Sequence, residues 1–408
     1  MKKLLFLLIP ALICADDLKS LLEFATANNN MVVSKSLREE SKLKDIESSQ
    51  SAYYPTLDLG GYGQSLNART NNTAGDTYSG YAKVGIDIYD GGKKSSTIEK
   101  DKALLESAKY DTAAYRKNLQ LSIVQDFYTI KSDEASLQAL EEKQTQLNAD
   151  LKRIKQFYEV GSATSDEIDK IQASLSNNSY QIDATKFQIL SLTKLLGTKI
   201  GKKITTLETS SIEEPQNVQK ELSDEIQALI ANASSYTYSA QSLNAAYMPQ
   251  IRLEDTYSLY DYDRYDALHP EGLNNQNKLM LTFNIRLFDN GSVSKQKESL
   301  FIQQKALESE IKQSTEIQDI NADLARSKIS TTKAQIQSAK SSLAAAISAY
   351  DVIAKKYELG AVDNVSYLDA LSVKTNAKAQ YEEALNNLQV AYASYYYYTN
   401  KNIKEYTK

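Results

Sequence analysis

Ala246-Tyr247-Met248-Pro249-Gln250-Ile251-Arg252-Leu253 decides the fold, because the chain has already spelled it once, as Ala52-Tyr53-Tyr54-Pro55-Thr56-Leu57-Asp58-Leu59. Two further segments recur. Ile86-Asp87-Ile88-Tyr89-Asp90 returns as Ile285-Arg286-Leu287-Phe288-Asp289, and Tyr158-Glu159-Val160-Gly161 as Tyr357-Glu358-Leu359-Gly360, both displaced by 199 residues. The stretch between the Asp and the Gly has therefore kept its length in both copies, which marks a duplicated structural unit rather than a chance motif. The repeats fall at 16–217 and 218–408.

Working outward from the motif, each copy opens with a helical segment, 17–51 and 218–247, that the proline stops. Strands follow, at about 54–66 and 78–90 in the first repeat and about 250–260 and 277–289 in the second. Leu279, Leu281, Phe283, Ile285 and Leu287 alternate with Met280, Thr282, Asn284 and Arg286, so one face is apolar and the other polar. Val84, Ile86 and Ile88 alternate in the same way, as do Ile251, Leu253, Tyr257 and Leu259. The connecting stretches, roughly 67–77 and 261–276, are rich in Asn, Asp and Gly, as hairpin loops should be.

Between Gly92 and Tyr158, and again between Gly291 and Tyr357, no proline or glycine interrupts the chain. At about 1.5 Å per residue each helix, 92–158 and 291–357, spans on the order of 100 Å. Leu137, Leu140, Leu147, Leu151, Ile154 and Tyr158 follow heptad spacing, as do Ile336, Leu343, Ile347, Tyr350, Ala354 and Tyr357, the signature of a coiled coil. Both helices stop at a glycine, Gly161 and Gly360, where a tight turn reverses the chain. Return helices are expected at 164–196 and 363–401. By length, 218–247 should continue 164–196, and 17–51 should stack on 363–401, with 197–217 forming an equatorial collar.

Met1-Lys2-Lys3, the apolar run Leu4 to Ile13, and Cys14-Ala15 before Asp16-Asp17 read as a signal peptide, 1–15, in preference to a buried helix. A lipoprotein reading through Cys14 fits less well, because Leu12 and Ile13 are bulky. Cleavage removes the only cysteine, excluding a disulfide or thiol nucleophile, and takes the net charge from −5 to −7. That acidity argues against nucleic acid as a partner. Mean hydropathy is −0.47 and Trp is absent, and no apolar stretch after residue 15 is long enough for a membrane-spanning helix.

No catalytic or metal centre emerges. Gly91-Gly92-Lys93-Lys94-Ser95 lacks the earlier glycine and the Ser/Thr directly after the first Lys of a phosphate loop. Gly60-Gly61-Tyr62-Gly63 lies inside a strand with no helix after it. His269 sits beside Pro270 in a loop, and Asp261, Asp263 and Asp266 lack calcium-loop spacing, so no metal or cofactor is expected.

Four amphipathic strands cannot close a membrane barrel, whose smallest forms have about eight. Open sheet edges cannot face lipid. Strands from two, three or four copies would give eight, twelve or sixteen, and the pattern alone leaves the number open. The competing reading is a soluble coiled-coil protein with two hairpin caps, acting as a non-conducting periplasmic tether. Against it stand the lipid-like face and the 28 tyrosines, suited to interfacial belts.

The duplication, the Ala-Tyr-x-Pro entries, the exits at Tyr89-Asp90-Gly91-Gly92 and Phe288-Asp289-Asn290-Gly291, and the Tyr-Glu-x-Gly turns together resemble the TolC-like outer-membrane efflux protein family. The resemblance implies a mainly α fold with a β-barrel, in a homotrimer. A twelve-stranded barrel in outer-membrane lipid would continue into a helical tunnel through the periplasm of a Gram-negative bacterium. Members serve as exit ducts of tripartite efflux pumps or type I secretion systems, joined to a periplasmic adaptor and an inner-membrane transporter of RND or ABC type.

The turns Tyr158–Ala163 and Tyr357–Val362, with Gly161 and Gly360, match the family's adaptor-docking site. Asp363, Ser366 and Asp369 share one face of the returning helix, as do Asp166 and Asp169 after Gly161. Such acids, repeated about an axis, would ring the closed tip and attract cations. Asp166 and Asp363 also suit a plain helix N-terminus. Asp369 matches an inward acid of the family's periplasmic constriction, whereas Ser366 stands where the family can carry a second one.

Overall fold

The computed structural model describes residues 17–67, 74–216, 218–263 and 273–408. In chain order these form α1 (Leu18–Asn28), α2 (Asn30–Ser51), β1 (Thr56–Ser65), β2 (Asp76–Tyr89), α3 (Lys93–Glu159), α4 (Ser165–Ile200), α5 (Asp224–Asn244), β3 (Gln250–Asp263), β4 (Asn275–Asn284), α6 (Ser292–Glu358) and α7 (Asn364–Tyr398). The signal peptide, Asp266 and His269 lie outside the described residues.

The chain divides into two units. The first takes the residues up to Ser34 with Thr112–Asp224 and Thr315–Lys408, and carries the main helical core. Phe127, Ile123 and Ile130 of α3 meet Leu18, Leu21 and Leu22 of α1, Leu196 and Ile200 of α4 and Tyr396 of α7, all almost fully buried. A second cluster nearer the turns joins Leu147 and Ile154 of α3 to Ile171 and Leu175 of α4, Tyr350 of α6, and Tyr367 and Leu371 of α7. Leu147 and Ile154 are seam positions of the heptad, so the sequence pattern and the packing coincide there.

The second unit, Lys35–Asp111 with Glu225–Ser314, carries the sheet. Its order is β1-β2-β3-β4, every neighbour antiparallel, so β2 and β3 are central and β1 and β4 are edges.

Four expectations need correction. Helix 17–51 is broken at Asn29, whose ψ of 128° is extended. The Asn29 side chain accepts from the N–H groups of Met31 and Val32 and so caps α2. Gly197 does not end the first return helix, which runs to Ile200 and is capped by Gly201 at φ +91°. A Cβ at Gly197 would come within 2.9 Å of the Lys202 carbonyl, so this glycine serves the close approach of the chain beyond the cap. The strand expected at 277–289 ends at Asn284, opposite Gln250. One step further its partner would be Pro249, which has no N–H to donate, so Ile285 and Leu287 continue the alternation without a ladder.

The stacking is also exchanged. Asn29 Nδ2 donates to the Lys199 carbonyl at 2.7 Å, placing the start of α2 at the end of α4. In the second repeat Asn400, at φ +64°, donates to the Leu222 carbonyl at 2.7 Å and accepts from Asp224 N–H, placing the start of α5 at the end of α7. The end of each return helix thus meets the start of the leading helix of its own repeat. Length alone could not decide this, because the extended collar after Gly201 is long enough to carry the chain to either end. The collar is pinned by a bridge between Ile212 and Thr407.

Candidate functional site

The two hairpin turns are built alike. Gly161 (φ +76°) and Gly360 (φ +69°) take the left-handed conformation that ends α3 and α6. Gly161 N–H donates to the Tyr158 carbonyl and Ser162 N–H to Phe157, at 3.0 and 2.8 Å. Gly360 and Ala361 repeat the pattern onto Tyr357 and Lys356, also at 3.0 and 2.8 Å. The turns lie side by side, since Asn364 Nδ2 at the start of α7 donates to the Glu167 carbonyl at the start of α4. Val160 and Leu359 stand out as exposed apolar tips, Leu359 at 84 %.

The expected acids separate into two kinds. Asp363 is the N-cap of α7, accepting from Ser366 N–H at 2.9 Å, and this bonding holds its carboxyl below the usual range. Asp166 pairs with Lys170 at 2.6 Å, which raises the lysine. These two acids, with Ser366 supplying its N–H, serve helix starts. Asp169 and Asp369 are exposed and make no ion pair among the described residues. Tyr158 is half exposed, but Tyr357 turns inward and stacks on Tyr367 with ring centres 4.6 Å apart.

That inward packing uncovers a polar cluster absent from the expectations. Tyr367 of α7 is 1 % exposed and its hydroxyl donates to Asp150 Oδ2 of α3 at 2.6 Å. Asp150, 3 % exposed, also pairs with Arg153 at 3.2 Å, and Arg153 lies over the Tyr357 ring. Gln146 donates to the Tyr367 hydroxyl at 3.1 Å, and Tyr350 meets it at 3.4 Å. Burial, then the hydrogen bond to Asp150, push the Tyr367 hydroxyl far above its ordinary value, keeping it a donor. One signal for this site existed in the sequence: a carboxylate at 150 on the seam of Leu147 and Ile154.

The sheet supplies a second functional surface. On one face Leu57, Leu59, Tyr257, Leu259, Leu279, Leu281 and Phe283 stand exposed, Leu59 at 80 %. By register the other face carries Asp58, Lys83, Asp87, Arg252, Glu254 and Lys278. Arg252 bridges Asp87 at 2.7 Å and Glu254 at 3.1 Å, so charges there compensate one another. The ribbon is thus greasy on one side and charged on the other, the two-faced pattern of membrane-barrel strands, with β1 and β4 at its edges among the described residues.

Fold and surface together define a protein of the membrane β-barrel class that carries paired helical hairpins. The chain matches the model of the outer membrane efflux protein family over residues 21–197 and 218–400, and it belongs to that family. As such it is an outer-membrane protein whose helices extend into the periplasm. Its fold is similar to that of CusC (17 % identity, 94 % of this chain and 92 % of that one, TM-score 0.81). It is similar also to the Campylobacter jejuni CmeC outer membrane channel (16 %, 94 % and 85 %, 0.82) and to Vibrio cholerae VceC (13 %, 95 % and 96 %, 0.79). No curated protein matches in sequence.

Proposed function

We infer that the chain is a passive exit duct, three copies closing their sheets into a twelve-stranded barrel and their helices into a periplasmic tunnel. The observation that carries this reading is the sheet, apolar and exposed on one face with β1 and β4 unpaired at its edges. Lipid tolerates such strands only when every edge is closed. Exposed Phe187 and Leu190 on α4, with Ile317, Ile320 and Leu324 on α6, supply apolar surface for neighbouring copies. The duct serves a tripartite efflux pump or a type I secretion system.

At the tip, the Asp150–Tyr367 cluster ties α3 to α7 and holds the resting closure. Opening has to separate these buried groups. Asp369, exposed and without an ion pair among the described residues, forms the acidic ring of the constriction when repeated about the axis, and Asp169 supplies a second acid. The turns around Gly161 and Gly360, presenting Tyr158, Val160 and Leu359, engage the periplasmic adaptor, which joins the duct to an RND or ABC transporter.

Reconstitution in planar bilayers tests the reading. The purified protein is expected to conduct, to prefer cations, and to run as a heat-dissociable oligomer. Asp369→Ala should reduce the cation preference and relieve block by multivalent cations. A monomer soluble without detergent, or membrane association without conductance, overturns the duct in favour of a tether.

A further inference from the structure

The polar face of the sheet is divided into two bands. Beside the helices most of its charges are paired, Arg252 with Asp87 and Glu254, Lys83 with Glu254 at 3.7 Å and Lys94 with Asp87 at 3.2 Å. Further along the strands the charges stop and tyrosines take their place. Register sets Tyr62 of β1 and Tyr260 of β3 directly opposite Ser79 of β2, one on each side. Tyr81, two residues on, shares the same face, and Tyr260 stacks on Tyr262 at 6.1 Å.

Two details distinguish this band from a scatter of aromatic side chains. Gly60 lies opposite Tyr81, and a Cβ there would come within 2.5 Å of the Tyr81 ring, so the missing side chain lets that ring lie over the backbone. At the centre of the frame Ser79 is only 8 % exposed, and its hydroxyl has no hydrogen-bond partner among the described residues. Buried hydroxyls are ordinarily satisfied. One left open among three rings matches a solute that stacks on the phenols and bonds the hydroxyl.

We propose that Tyr62, Tyr81 and Tyr260, with the Ser79 hydroxyl, form a contact site for planar aromatic cations on the wall of the conduit. The proposal rests on the duct reading, which turns this face inward. Tyrosine faces carry negative potential and attract cations, and Lys83, Lys94 and Arg252 are each held by a carboxylate, which weakens the positive field that would oppose entry. The site lets such cargo slide along the barrel wall, whereas aliphatic anions gain nothing from it.

The test is an ethidium fluorescence titration of the full-length protein in detergent. The double variant Tyr81→Leu/Tyr260→Leu should bind about tenfold more weakly, and Ser79→Ala about threefold. Tyr81→Phe/Tyr260→Phe, which keeps both rings, should stay within about twofold of the parent. Unchanged affinity in the leucine pair, or equal loss in the phenylalanine pair, overturns the site. Should the leucine pair fail to assemble, Tyr62→Leu at the half-exposed ring carries the same expectation of loss, and unchanged affinity there is equally decisive against it. Conductance of the parent protein is read separately: absence of a pore removes the duct, while a pore with ethidium affinity indifferent to the rings removes only this inference.

Discussion

At the scale of single residues, the tip depends on two glycines and one buried hydrogen bond. A Cβ at Gly360 would meet nothing within 4 Å, so any penalty there comes from φ and not from crowding. Gly360→Val should strain the turn by about 1–2 kcal/mol and abolish export while the oligomer persists, as read by drug susceptibility beside gel mobility. Gly360→Asn tolerates positive φ, so loss of export in that variant isolates docking from turn geometry. Tyr367→Phe leaves Asp150 buried with only Gln146 and Arg153, a cost of about 1–3 kcal/mol. Its expected phenotype is higher single-channel conductance together with a lower melting temperature. An unaltered conductance would show that closure does not depend on this pair.

At the scale of elements, β4 and the α3–α7 contact are the informative cases. Leu281 lies on the exposed apolar face of β4, and Leu281→Arg puts a charge where the duct reading places lipid. The cost is about 2–4 kcal/mol at the bilayer centre, and the heat-dissociable oligomer should vanish from the membrane fraction. Arg at Thr282, on the opposite face, should be tolerated.

On α3, burial and then Glu383 raise the Asp133 carboxyl above its usual range, and Asp133 Oδ2 has no hydrogen-bond partner among the described residues. A carboxyl whose folded value is raised favours folding below the ordinary value near pH 3.9, and that contribution is lost as pH climbs through the folded value. Asp133→Asn is therefore expected to raise the melting temperature at pH 7 by about 2 °C, the gain disappearing by about pH 3. A gain that persisted in acid would assign the effect to packing.

At the scale of the whole molecule, a duplicated chain of 408 residues leaves much of its apolar surface uncovered on the sheet and the helices. On the duct reading, a single copy with an open amphipathic sheet suits neither water nor lipid, and folding is expected to be coupled to oligomerisation. Native mass measurement in detergent should give one dominant species of three copies. Junctions at Asn29 and Asn400 occur at matching places in the two repeats, which gives the assembled particle six similar joints. The figure of six holds for the proposed trimer and falls to four if two copies close the barrel.

The sequence by itself determined the duplication, both long helices, the glycine turns and the two-faced strands, because each is a local pattern of period, length or backbone freedom. The register of the alternating residues also settled which face of the sheet is greasy, since a side-chain period of two leaves no choice. Only the tertiary structure decided that the start of α2 meets the end of α4 and the start of α5 the end of α7, that β4 stops where Pro249 denies it a partner, and that Tyr357 faces inward. It alone brought Asp150 to Tyr367, more than two hundred residues away. The physical reason is common to all of these: they depend on which surfaces meet across large sequence separations, and a one-dimensional pattern specifies a face without naming its neighbour.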